Sequence, residues 1–168
     1  SKFYSEKPKC FMQVKWRRNH IAHTIGGVML VHGGLLENEK VTNELLLLEF
    51  STLKWSHCTS KGRSPNLVFH CSEFVLENEK TNKASYHIYK GTPFQEGKNY
   101  YKIKYEGIYL FGGMDEEYNF KNEINILKIG RKPCEWIKPK IIGESPPPRI
   151  NATINFYHEL NILILHGG

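Results

Sequence analysis

Two dipeptides, His57-Cys58 and His70-Cys71, carry the residue types of this chain that could ligate a metal. Imidazole and thiolate are the usual zinc ligands, arranged as a tetrahedron. The spacing argues against such a site. Neighbouring residues on a strand point to opposite faces, so neither pair converges easily on one ion, and no CxxC is present. No metal and no cofactor are expected. Cys10, Cys58, Cys71 and Cys134 read instead as free thiols in a reducing compartment, each a small buried hydrophobe. The acidic run Asp115-Glu116-Glu117 could meet a cation or a basic partner, and its plainer reading is a solvated loop. No Walker motif, GxSxG or HExxH occurs. Catalysis is not expected.

Binding is the better-supported chemistry. Residues 77–106 contain Tyr86, Tyr89, Tyr100, Tyr101 and Tyr105, with Lys102 and Lys104 among them. In an extended segment Tyr101, Ile103 and Tyr105 share one face and the two lysines the other. Tyrosine beside basic residues suits a protein interface, and also suits single-stranded nucleic acid. A hairpin lying over its own sheet is the structural alternative. The net charge of +6 is concentrated at the N-terminus, where residues 1–18 hold six bases, Arg17 and Arg18 among them, against Glu6 alone. Such an arm fits an acidic partner, and a merely solvated arm stays open. No apolar run approaches the length of a membrane span, and SKFYSEKPKC lacks a signal-peptide core.

The elements that position these residues are repeated. NELLLLEFSTLKWSHCTSKGRSP, Asn43 to Pro65, recurs as NEINILKIGRKPCEWIKPKIIGESP, Asn122 to Pro146. Each copy follows a diglycine, Gly33-Gly34 or Gly112-Gly113, with nine residues from the second Gly to the Asn. Trp55 and Trp136 each stand seven residues before a Gly-x-Ser-Pro. A third diglycine, Gly167-Gly168, closes the sequence. Recurrence at this length, built from short apolar runs, indicates stacked supersecondary units.

In the first unit the pattern predicts strands over Ile21 to Ile25, Val28 to His32, Leu45 to Phe50 and Lys54 to Cys58. The turns fall at Gly26-Gly27 and Ser51-Thr52, and Leu35 to Thr42 reads as a polar loop. Four strands in so short a stretch cannot bury their own faces, and stacking is the physical solution. The second unit is predicted to open with a strand over His70 to Leu76 and to resume at Gly107 to Phe111, with Tyr86 to Tyr89 and Tyr100 to Tyr105 extending the hairpin between them. Arg18-x-His20, Val68-x-His70 and Arg149-x-Asn151 align as the starts of three units. The alternation in Phe11 to Trp16 suits a further short strand outside the repeat, and the third unit turns at His158-Glu159. Because the third unit stops after two strands, the chain reads as a piece of a longer protein.

Diglycine after an apolar strand, then Asn, then Trp, then Gly-x-x-Pro, resembles the kelch repeat over residues 18–168. The resemblance implies an all-β fold of four-stranded antiparallel propeller blades in an incomplete ring. Residues 1–17 form a basic arm. The first blade spans about 18–64, the second about 65–147 with the insert 77–106, and a truncated third starts at 148. In such a blade the glycines permit close backbone approach and the Trp packs between sheets, so these motif residues are structural. Kelch-like proteins commonly serve as cytoskeletal or axonemal components or as substrate adaptors of ubiquitin ligases. Some are copper oxidases or isomerising lyases, whose sites draw ligands from several blades, and nothing here reproduces one. The expectation is a non-catalytic interaction scaffold, cytoplasmic, in a cytoskeletal or ciliary setting. Its partners are other proteins, an acidic surface such as tubulin among them, rather than nucleic acid or membrane. The adaptor and the enzyme are the alternatives.

Overall fold

The computed structural model describes residues 12–76, 106–130, 133–141, 143–157 and 162–168. Among the described residues there is no helix, and so none long and apolar enough to cross a membrane. The chain is all-β. Sheet I contains β2 (Ile21–Ile25), β3 (Val28–His32), β5 (Leu45–Glu49) and β6 (Lys54–His57), antiparallel and in chain order. Gly26, with a φ of 58°, makes the turn between β2 and β3. The four predicted strands of the first unit are all present.

Sheet II repeats that plan with β8 (Cys71–Val75), β9 (Gly107–Phe111), β10 (Ile124–Lys128) and β11 (Cys134–Ile137). It gains a fifth strand from the preceding unit. β7 (Ser60–Lys61) leaves sheet I and pairs in parallel with the outer edge of β11, Ser60 opposite Cys134 and Lys61 opposite Glu135. β12 (Thr153–Tyr157) and β13 (Ile162–His166) form a two-stranded sheet III. The extended hairpin expected within residues 77–105 and the turn at His158-Glu159 lie outside the described residues.

The sheets stack face to face as successive blades of a propeller whose ring is not closed. Side-chain alternation along each strand sends one face back and the other forward. Ile108, Leu110 and Leu127 of sheet II meet Ile21, Leu30 and Leu45 of sheet I. Tyr109, Phe111, Ile124 and Ile126 meet Ile154 and Leu163 of sheet III. All five residues of β9 are therefore buried, and its sequence, Gly-Ile-Tyr-Leu-Phe, has no charged position.

The diglycines fasten neighbouring units. Gly34 N donates to Leu67 O of the second unit, and Gly113 N donates to Arg149 O of the third. A Cβ on Gly34 would stand 2.8 Å from Arg18 O, and one on Gly113 would stand 2.9 Å from Val68 O. The φ values of 96° and 90° exclude most side chains independently.

Two expectations are corrected. Residues 12–16 are not a strand. Pairing begins at β1 (Arg17–Arg18), which meets β4 (Leu35–Leu36) inside the stretch read as a polar loop. Trp16 is exposed, so the alternation in this segment has no face to bury. The third unit also aligns one residue later than its sequence suggests. Asn19, Phe69 and Asn151 are the equivalent left-handed residues, with φ of 56°, 59° and 54°. Backbone bonds link them in series, Phe69 N to Asn19 O and Asn151 N to Phe69 O. Arg149 thus matches Arg17, not Arg18, and each of these two arginines donates to the carbonyl of its own unit's first motif glycine, Arg17 to Gly33 O and Arg149 to Gly167 O.

Candidate interaction surface

The turn from β9 to β10 is built around one carboxylate. Asp115 Oδ1 accepts from the backbone N–H groups of Glu117 at 3.0 Å and Asn119 at 2.9 Å. Its Oδ2 is ion-paired with Lys121 and accepts from Asn119 Nδ2. Hydrogen bonding from Lys121, supported by those N–H groups, holds the Asp115 carboxyl down at about 2. Met114 bridges to Val68 on one side and to Phe120 on the other. This internal bonding holds Tyr118 at a φ of 64°, unfavourable for an aromatic residue. The loop therefore has a fixed shape. It holds Tyr118 out at 79% exposure with Phe120 beside it, flanked by Glu116 and Glu117.

Next to this loop lies an open concavity of about 540 Å³. It is lined by Arg63 and Pro65 to Leu67, from the linker into the second unit, and by Asp115 to Glu117 with Lys121. Trp136 and Lys138 also line it, and Lys138 is ion-paired with Glu123 at 2.6 Å. Ser64 anchors the linker to the first unit, donating to Asn43 O at 2.9 Å and meeting His32 Nε2 at 3.2 Å.

Behind the concavity His32 sits between His70, with ring centroids 5.5 Å apart, and Trp136, at 4.7 Å. Burial pushes the His32 imidazole down to about 3, with the nearby His70 adding to the effect. Burial likewise pushes His70 down to about 4. Both rings are neutral at physiological pH, and this polar cluster is packing behind the surface rather than an acid or base facing solvent.

No protein-family model matches the chain. It is 23% identical over 154 residues to dynein regulatory complex subunit 7 of Chlamydomonas reinhardtii, a match covering 90% of this chain and 11% of that protein. It is 28% identical over 201 aligned positions to Host cell factor of Drosophila melanogaster, covering 93% of this chain and 13% of that protein. The chain spans little more than a tenth of either relative. By its name the first is a subunit of a protein complex.

Of the residues singled out from sequence, Tyr86, Tyr89, Tyr100, Tyr101, Lys102, Lys104 and Tyr105 lie outside the described residues. Arg17 and Arg18 are described, and their surroundings differ. The Arg17 side chain is 5% exposed and ion-paired with Glu44 at 2.6 Å, so it serves the inside of the first unit. Arg18 is exposed and holds Glu39 through both carboxylate oxygens, at 2.8 and 2.9 Å. The two His-Cys pairs are not brought together. Cys71 packs in the core between sheets II and III, whereas Cys58 borders the core between sheets I and II. Sequence reasoning weighed Asp115 to Glu117 as a solvated loop and passed over Tyr118 and Phe120. The available signal was Asp followed four residues later by Asn, a carboxylate placed to cap its own turn.

Proposed function

We propose that this chain is part of a kelch-type propeller acting as a non-catalytic protein-interaction scaffold, in the cytoplasm and within a cytoskeletal or axonemal complex. The observation that carries the reading is the self-bonded loop 114–121, which presents Tyr118 and Phe120 beside a concavity walled by charged side chains. Exposed aromatic side chains on a rigid backbone lose little entropy on binding and are frequent interface hot spots. The likeness to a dynein regulatory complex subunit favours a ciliary setting over an adaptor role. Glu116 and Glu117 of the loop favour a basic segment of the partner for this face, while the lysines that the sequence places at positions 2, 7, 9 and 15 suit an acidic surface such as tubulin.

Co-sedimentation of the intact protein with axonemes or microtubules, followed by cross-linking of whatever it retains, tests the reading. Tyr118→Ala with Phe120→Ala should weaken partner binding at least tenfold while the melting temperature stays unchanged. Deleting residues 1–16, which spares the Arg17–Glu44 pair, separates a contribution of the arm from that of the loop. Retention unaffected by either change sinks the choice of surface. Recovery of ubiquitin-ligase subunits in place of cytoskeletal ones would favour the adaptor.

A further inference from the structure

Cys58 and Cys134 belong to different sequence units, 76 positions apart, yet their sulfurs lie 3.7 Å from one another. Cys58 directly follows β6 at the margin of sheet I, and Cys134 is the first residue of β11 in sheet II. Two residues beyond Cys58 the chain becomes β7, where Ser60 stands opposite Cys134. The crossing between sheets thus passes over Cys134, held there by two residue pairs of parallel strand. Both cysteines pack against the apolar core that joins sheets I and II. Both are half-buried, within reach of a small reagent. Cys71 provides the contrast: it lies in the other core, and burial pushes its thiol up to about 11, which suppresses the reactive thiolate.

We infer that Cys58 and Cys134 form a reversible oxidative modification site, a disulfide that bolts the first blade to the second. A disulfide needs its sulfurs about 2.0 Å apart, which leaves about 1.7 Å to close. The oxidant is a small-molecule disulfide such as oxidised glutathione. One cysteine, as thiolate, attacks a glutathione sulfur, forming a mixed disulfide and expelling one glutathione thiolate. The second cysteine attacks the protein sulfur of that mixed disulfide and expels the other. Two protein thiols are oxidised, one glutathione disulfide is reduced to two thiols, and the two protons end on the glutathione thiolates or in solvent. The closed loop contains residues 58–134, and so includes the 114–121 loop together with the 77–106 insert. Oxidation ties the two ends of that stretch together and restricts the opening of the first blade from the second.

The test is to equilibrate the intact protein in graded mixtures of oxidised and reduced glutathione, quench it in acid, alkylate it and map its peptides by mass spectrometry without reduction. The expected product is a Cys58–Cys134 linked peptide that disappears on reduction. Its formation should accompany a rise in melting midpoint on the order of 5–10 °C. Cys71→Ser should keep both effects, and Cys58→Ser and Cys134→Ser should each lose both. Separate glutathione adducts on the two cysteines with no internal link, a link through Cys10 or Cys71 in its place, or a fully reduced pair under the most oxidising mixture each overturns the inference. The peptide map of the unsubstituted protein decides the matter even where a serine variant does not fold.

Discussion

Strands β3, β9 and β13 occupy equivalent positions just before a diglycine, and their sequences, VMLVH, GIYLF and ILILH, are similarly apolar. Their burial is not similar. Leu30 and Tyr109, at matching positions facing the next sheet, are buried, whereas Ile164 is 49% exposed. Sheet II has neighbours on both faces, and the forward face of sheet III meets no sheet among the described residues. The difference shows that a repeat's apolar pattern specifies what can be buried, and the neighbouring copy decides what is. At about 25 cal/mol per Å² of apolar surface, most of a blade's stability is held in common with the blades beside it.

The largest test of the contrast between sheets I and II concerns the residue ahead of the diglycine, His32 in one and Phe111 in the other. The folded protein holds His32 and His70 well below the ordinary 6.5, so between pH 6.5 and those values the unfolded chain binds more protons. Their stability contribution is complete above pH 6.5 and is lost as pH falls through about 4 for His70 and about 3 for His32. The slope approaches about 1.4 kcal/mol per pH unit for each ring. Urea unfolding between pH 7 and 4 measures it, and His32→Phe, which borrows the residue of sheet II, should flatten the curve. An unchanged slope in that variant would mean the cluster is not the source.

Next in size, Ile126→Ala should cost about 4 kcal/mol by urea unfolding and Leu47→Ala about 1.5, because Ile126 is fully enclosed and Leu47 is half-buried. Equal costs would show that the core between sheets I and II encloses Leu47 as fully as the core between sheets II and III encloses Ile126. Gly112→Ala should cost about 3 kcal/mol, since its new Cβ would press on Arg149 O at a positive φ. Gly167→Ala has the same backbone sense and open space around it, and should cost about 1 kcal/mol. The smallest contrast is within the first unit. Arg17→Ala, which leaves Glu44 without its buried partner, should cost about 2 kcal/mol. Arg18→Ala, losing a solvent-exposed pair, should stay within about 0.5 kcal/mol.

The strands of the first unit were legible because glycine turns punctuate runs of alternating or continuous apolar residues, and diglycine, Asn and Trp repeat at fixed offsets. The lending of Ser60–Lys61 to sheet II was not legible. Those residues are polar and short, and parallel pairing leaves no local pattern. The register of the third unit was misread because the recurring feature is a left-handed backbone, met by Asn, Phe and Asn in turn, rather than a recurring side chain. The interaction surface was legible in composition only. Its acidic residues stand out in the sequence, while the use of Asp115 to brace the loop and turn Tyr118 outward depends on hydrogen bonds that sequence spacing only suggests. Arg17 looked like one more base of a charged arm until its pairing with Glu44 placed it inside.

The strand that sheet I lends to sheet II has a consequence for how the molecule can be cut. Part of the β11 margin is covered by residues encoded before the second unit begins. A nick or a recombination point between Thr59 and Ser60 would leave the lent strand with the second sheet, whereas one after Lys61 would strip it away. Stripped margins are where foreign strands add and fibres start. The piece that can be excised safely is therefore not the piece that repeats in the sequence.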